Sequence, residues 1–208
     1  MLDSEIILIG YSGHGFVSAE AAISSNMNLK YYSELNELKV NPYNLEYLGF
    51  EKDISFEGWN KDYSFILGIG DNKLREKIAK LIVSKKKRIL NVIHNSSSVS
   101  KETKIGKGNL IARNVSINPL TIINDFCILN TGCIIEHECI IKDAVHVAPG
   151  VVLTGNVTVG ERTFIGANSV IKQGVLIGSN AIIGAGSVVL KRIEDNALVY
   201  GNPAKVKN

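Results

Sequence analysis

From Val99 to Val189 every sixth residue is aliphatic: sixteen consecutive positions are Ile, Leu or Val. A period of six suits neither a helix, at 3.6 residues per turn, nor a plain strand alternating every two. It fits a chain that turns a corner after each short strand and stacks coil upon coil, three hexads closing one triangular coil. From Ile111 to Ile183, four residues after the aliphatic comes a small or β-branched side chain, from Val115, Thr121 and Cys127 through to Ala181 and Ser187. Gly106, Gly160, Gly166, Gly178 and Gly184 directly follow the aliphatic, where a corner needs positive φ or close backbone approach. The expected architecture is a parallel β-helix of about five coils, roughly 24 Å tall at the usual strand spacing. The tail from Ala197 to Asn208 leaves the register and is expected to fold back as a cap over the end of the core.

Residues 1–95 read differently. Strands are expected at residues 5–9, 29–32, 65–70 and 89–93, with a short one near Tyr47. A helix from Phe16 to Ser25 turns Val17, Ala21 and Ala22 inward. A second, capped by Asp71 or Asn72, carries Leu74, Ile78, Leu81 and Ile82 on one face. Strand, glycine loop, helix, strand is a small α/β unit with a parallel sheet. The organisation is thus an α/β Rossmann-like domain over 1–95 followed by a β-helix with a terminal cap over 96–208.

Partners and compartment follow from composition. A net charge of +3 is too small to argue for nucleic acid, and the basic run 85–88 closes a helix, where cations complement the carbonyl end. No run of eighteen apolar residues suggests a membrane span, and the acidic start, Met1 to Glu5, does not read as a signal peptide. Cys127, Cys133 and Cys139 take the small inward position of their hexads, as reduced cysteine acting as a small apolar residue. The expected compartment is the cytoplasm. No cysteine–histidine cluster suggests zinc, and His137 and His146, nine apart, lack the third imidazole that a β-helical zinc hydratase needs; no metal is expected.

Two places carry candidate chemistry. Gly10-x-x-Gly13-x-Gly15, between strand and helix, offers backbone N–H groups and a helix N-terminus to an anion; a purely structural tight turn is the alternative. It departs from the dinucleotide fingerprint, although Glu34 lies about twenty residues on, where ribose is often recognised. His137 sits in its hexad away from both core positions, pointing outward, and Glu138 could orient the ring or raise its basicity; a plain surface histidine is the alternative.

Four segments together, Ile9 to Gly15, Gly68 to Asn72 with Arg75, Asn130 to Glu138 and Gly201 to Lys205, resemble one family over essentially the whole chain. It is the bacterial sugar O- and N-acetyltransferases, which include sialic acid O-acetyltransferases and N-acetyltransferases of nucleotide-linked 4-amino-4,6-dideoxysugars, as in bacillosamine biosynthesis. The resemblance implies that the β-helix is left-handed and that the activity is transfer from acetyl-CoA to the amine of a nucleotide-linked amino sugar. The alternative within the family is O-acetylation of sialic acid or a related sugar. Outside it stands a non-enzymatic β-helix scaffold, disfavoured because the outward residues are mixed rather than regular Thr or Asn ladders. His137 would be the general base and Glu138 the residue that raises its basicity. His146 and the backbones of Gly155 and Ala167 would lie along the acetyl-CoA groove. Ser12, Gly13, His14, Glu34 and Gly70 would hold the sugar nucleotide. Family members that bind nucleotide sugars often carry two adjacent aspartates after the second strand, where this chain has Ser33-Glu34. A homotrimer, with the groove between neighbouring prisms, completes the expectation.

Overall fold

The computed structural model describes residues 4–207; Met1, Leu2, Asp3 and Asn208, with most of the acidic start and the last residue of the tail, lie outside the described residues. The N-terminal part is a five-stranded parallel sheet of β1 (Ile6–Ile9), β2 (Leu29–Ser33), β3 (Glu46–Tyr47), β4 (Ser64–Leu67) and β5 (Arg88–Ile89), in the order β3-β2-β1-β4-β5. Helices α1 (Gly13–Ser24) and α2 (Asn72–Ser84) cover opposite faces. The period of two in β1 explains this directly: Ile6 and Leu8 pack with Ala19, Ala21 and Ala22 of α1, whereas Ile7 and Ile9 pack with Ile78, Ala79 and Ile82 of α2.

Three sequence expectations shift. Helix α1 begins at Gly13, so Gly13 and Gly15 belong to its first turn rather than to a preceding loop. The buried face of α2 is Arg75, Ile78, Ala79 and Ile82, and Leu74 is exposed, because a charged residue occupies a core position that apolar periodicity does not show. The segment expected as one strand over 89–93 divides: Ile89 pairs with the small sheet, while Val92–Ile93 pairs with Leu110–Ile111.

Beyond it the chain forms a left-handed parallel β-helix of two-residue strands, each paired with the strand eighteen residues on, as Ile117 pairs with Ile135. The first prism face runs from Val92–Ile93 to Leu198–Tyr200, the second from Ser98–Val99 to Val188–Val189 and the third from Lys104–Ile105 to Leu176–Ile177. Six strands stack on the second face, so the prism is taller than five coils. The aliphatic and small hexad positions form one continuous core from Ile111 to Val199.

The two demands on glycine fall at different hexad positions. Positive φ occurs three residues after the aliphatic, at Asn114, Leu120, Phe126, Gly132, Glu138, Ala144 and onward to Gly186. The glycines that directly follow the aliphatic serve close approach instead: a Cβ on Gly166 would lie 2.5 Å from the Ala185 nitrogen of the next coil. At the top, Leu198–Tyr200 still pairs in parallel with Ile182–Ile183, and only then does the tail turn back, Lys205–Val206 pairing antiparallel to it. The terminal cap is therefore a hairpin that starts inside the stack.

The small domain docks on the first prism face. Outward Val92, Leu110 and Ile128 join the cluster of α1, and Phe126 joins that of α2. Arg75 pins the junction. Its Nε donates to Phe126 O at 2.8 Å, Nη1 to Gly70 O at 3.0 Å, and Nη2 to Ala144 O at 2.8 Å and Asn72 Oδ1 at 2.9 Å. Burial pulls its pKa down to about 10, which leaves it cationic at neutral pH.

Candidate active site

In an open parallel sheet, ligands bind outside the carboxyl ends of the strands where the strand order reverses. Here that point lies between β1 and β4, and a cavity of about 420 Å³ opens there, lined by Gly10, Ser12, Glu34, Phe50, Glu51 and Gly70 among others. Three glycines let the walls meet: a Cβ on Gly15 would strike Gly10 O, one on Gly68 would lie 2.8 Å from Gly15 Cα, and Gly10 itself has φ +85°. These are packing roles. Gly13 differs, since a Cβ there meets nothing within 4 Å and points into open space. Ser12 is the N-cap of α1 but its side chain makes no capping bond, and the first turn holds no acidic residue, so the first-turn amides stay open to an anion. By contrast, Asp71 caps α2 by accepting from Leu74 N–H at 2.8 Å.

Glu34 lines this cavity, yet its carboxylate is engaged: Tyr11 N–H donates to it at 3.0 Å and Leu35 N–H at 3.1 Å. A second cavity, about 530 Å³, starts at the same Gly70–Asp71 turn and runs over Phe164 and Ile182 of the first prism face. Beneath the turn the rings of His14 and His146 lie 5.8 Å apart, and His146 packs edge-on to Phe164. His14 Nε2 and His146 Nδ1 are buried without a partner among the described residues. Burial, and after it the Arg75 charge, lowers His14 to about 4; the same causes, with His14 added, lower His146 to about 3. The site therefore places two neutral imidazoles beside a buried cation.

A pH dependence follows. Unfolded, each imidazole takes a proton below about 6.5; folded, neither does until about 4 or 3. The folded state binds fewer protons in that window, so stability is full above pH 6.5 and falls as the pH drops toward 4. The expected loss is up to about 1.4 kcal/mol per group per pH unit. Thermal melts at pH 7.5, 6 and 5 check it, and a variant with both His14→Asn and His146→Asn should flatten the profile.

His137 stands elsewhere. It lies at the corner between the second and third faces, after Ile134–Ile135 and before Ile140–Ile141. The ring is half exposed, with Nδ1 3.0 Å from Glu138 Oε2. A neutral ring that donates Nδ1–H to Glu138 keeps Nε2 as a free acceptor. The ring rests on Gly155 one coil higher, where a Cβ would lie 2.6 Å from Nε2. Gly155 N–H makes no hydrogen bond among the described residues and adjoins the ring, so it is free to donate to an outside oxygen. Ala167 is at a different corner, between the first and second faces. Within one chain, then, His137 joins Gly155, and His146 joins His14 and Gly70. The two groups are separated by the prism, because the His137 corner is the one opposite the first face.

Cys127 and Cys133 are fully buried, with thiols pushed up to about 12, and Cys139 is raised likewise by burial. None is available as a thiolate. Sequence reasoning missed Glu51 and the role of Arg75. Glu51 lies in the unpatterned segment 35–62, and Arg75 interrupts the very periodicity used to find helix faces.

Comparison with known proteins gives a consistent result. Residues 5–82 match the PglD N-terminal domain family, and residues 156–191 match the hexapeptide repeat of succinyl-transferase. A variant of GDP-perosamine N-acetyltransferase from Caulobacter crescentus, solved with CoA and GDP-perosamine, is 30% identical, with 99% of this chain and 97% of that one covered and a TM-score of 0.94. The acetyltransferase domain of PglB from Neisseria gonorrhoeae, solved with acetyl coenzyme A, is 26% identical over 99% and 100% of the two chains, with a TM-score of 0.91. WeeI from Acinetobacter baumannii shares the fold at 24% identity, covering 98% and 100%, with a TM-score of 0.82.

Proposed function

Because this chain belongs to the hexapeptide-repeat sugar acetyltransferases of bacteria, we propose that it moves the acetyl group of acetyl-CoA to the amine of a nucleotide-linked amino sugar. The acceptor class is the 4-amino-4,6-dideoxysugars of surface glycan biosynthesis. The observation that carries this reading is the full-length likeness to an enzyme solved with CoA and such a nucleotide sugar, joined to an anion-ready cavity at the switch point of the sheet. Residues 1–95 hold the acceptor and residues 96–208 hold acetyl-CoA. The three cysteines are free thiols, which suits a cytoplasmic enzyme.

The chemistry is direct transfer. His137 Nε2 takes a proton from the acceptor nitrogen as that nitrogen attacks the thioester carbonyl. The Gly155 N–H donates to the oxygen on which negative charge develops. Collapse of the tetrahedral species re-forms the carbonyl and breaks the carbon–sulfur bond, and the departing CoA thiolate takes up the proton held on His137 Nε2, which releases CoA as the free thiol and restores the base. Glu138 orients the base through Nδ1. His146 and the Ala167 backbone line the acetyl-CoA groove, while Ser12, Gly13, His14, Glu34 and Gly70 surround the acceptor.

The base and the acceptor cavity of one chain lie on opposite sides of its prism, so each site draws its base from a neighbouring chain, in a homotrimer. Two further faces support this. Ile134 and Val170 on the second, and Ile122, Ile140 and Leu176 on the third, form apolar rows between 36% and 45% exposed. The test combines assay and assembly. Acetyl-CoA is incubated with UDP-, dTDP- and GDP-linked amino sugars and with sialic acid, and free thiol release is followed. His137→Ala and Gly13→Val, each inactive alone, should regain about a quarter of wild-type activity when co-expressed, since that share of interfaces joins an intact base to an intact loop. Light scattering that gave a monomer, or mixed oligomers without recovery, would remove the shared-site reading.

A further inference from the structure

Resting on the nucleotide-linked acceptor just described, we propose that Glu51, held by Ser33, reads the base of that nucleotide and selects guanine. The switch-point cavity has two unlike ends. One is the open N-terminus of α1 beside Ser12, suited to a diphosphate. The other is formed by Ser33, Glu34, Leu35, Phe50, Glu51 and Lys52. Glu34 at that end accepts one backbone N–H on each oxygen, whereas among the described residues Glu51 accepts on Oε2 alone, so its Oε1 is the less engaged acceptor on this wall.

Glu51 is only 5% exposed and is fixed by three hydrogen bonds to two residues. Ser33 Oγ donates to Glu51 Oε2 at 2.9 Å, Glu51 N–H donates to Ser33 Oγ at 3.0 Å, and Trp59 Nε1–H donates to Glu51 O at 3.2 Å. Among the described residues it joins no ion pair, although a buried carboxylate is costly without strong donors. Ser33 thus holds a carboxylate from the loop after β3 in the cavity wall.

A carboxylate is an acceptor on both oxygens and matches two parallel N–H donors. Guanine presents N1–H and the 2-amino group side by side. Uracil and thymine offer one N–H between two carbonyl oxygens that a carboxylate repels. Adenine and cytosine set their amino group beside a ring nitrogen that is itself an acceptor. Phe50, next to Glu51 on the same wall, supplies an apolar ring for the face of the base.

Calorimetry of the full chain with GDP, IDP, UDP and dTDP tests the proposal, IDP being GDP without the 2-amino group. The expected result is GDP binding at least tenfold tighter than the other three. Glu51→Gln should weaken GDP about tenfold or more and bring the GDP-to-IDP ratio near one, while IDP and UDP change little. Ser33→Ala, which loosens the carboxylate, should shrink the same ratio part of the way. Equal binding of GDP and IDP by the wild type, or a Glu51→Gln variant that weakens every diphosphate alike, overturns the proposal. Preference for UDP or dTDP also overturns it and leaves the nucleotide-linked acceptor standing. Absence of binding by all four at millimolar concentration removes that acceptor as well.

Discussion

Replacing His137 by alanine is expected to lower turnover by about 10²–10⁴ while leaving acetyl-CoA affinity and the melting temperature close to wild type. The size follows from its role, since a base acts on the transition state and not on the bound ground state. The unchanged stability follows from its place. The ring is half exposed at a corner, contacts Gly155 and Glu138, and belongs to none of the buried clusters. Glu138→Ala should cost less, because an unanchored imidazole still carries a free nitrogen. Glu138→Gly adds a second readout. Glu138 holds φ at +61°, which costs a non-glycine residue about 1–2 kcal/mol, and glycine's extra freedom returns about 0.5–1 of that. The glycine variant should therefore melt slightly higher while turning over more slowly. Steady-state kinetics beside calorimetric melts decide the matter, and a His137→Ala enzyme of near-normal turnover would make this an ordinary surface histidine.

Arg75→Met should be strongly destabilising, by about 3–5 kcal/mol. Methionine matches the volume and keeps the apolar contacts, but no donor then meets Phe126 O and Ala144 O on the prism or Gly70 O at the ligand turn. For a chain of this length the loss corresponds to about 6–20 °C in melting temperature. Since those carbonyls come from both domains, the small domain should loosen from the prism, and limited proteolysis should cut first near 85–91. Removing the charge has a second effect: His14 and His146 should titrate higher, readable by NMR, because Arg75 is a cause of depression at both. Arg75→Lys keeps the charge with fewer donors and should fall between. A wild-type melting curve for Arg75→Met would show that the junction rests on apolar contact alone.

The prism was legible because its signal is redundant. Each coil repeats the same inward aliphatic and small residue, so the pattern survives substitutions at any one position. The αL corners were not, since Asn, Leu, Phe, Glu, Ala, Arg and Gly all occupy them; the stacked neighbours impose the backbone there, not the residue. The contact of His137 with Glu138 was legible because the two are adjacent in sequence, and adjacency on a rigid corner becomes contact. The pairing of His14 with His146 spans 132 positions and depends on docking, which no local pattern encodes. Ser33 with Glu51 is hidden for a related reason: the partner carboxylate sits in a loop without periodicity. The glycine loop after the first strand was legible from the strand–glycine–helix order, whereas the switch point beside it depends on the strand order β3-β2-β1-β4-β5, which only the folded sheet defines.

The terminal hairpin has a consequence for how the molecule avoids its own kind. A stack of parallel coils ends in a row of unpaired N–H and C=O groups, the template on which another such stack would grow. Here Lys205–Val206 occupies the outer edge of Leu198–Tyr200, and Val188 pairs with Gly201 N-terminally and Ala204 C-terminally, its N–H donating to Gly201 O at 3.0 Å and its O accepting from Ala204 N–H at 2.9 Å. The last turn thus directs these hydrogen bonds inward, and Lys205–Val206 sits where the next parallel strand of this face would pair. A fold that is in principle extendable, coil after identical coil, changes its terms on this face, where the outermost strand runs antiparallel and offers another coil a different hydrogen-bond pattern from the one every strand below it repeats.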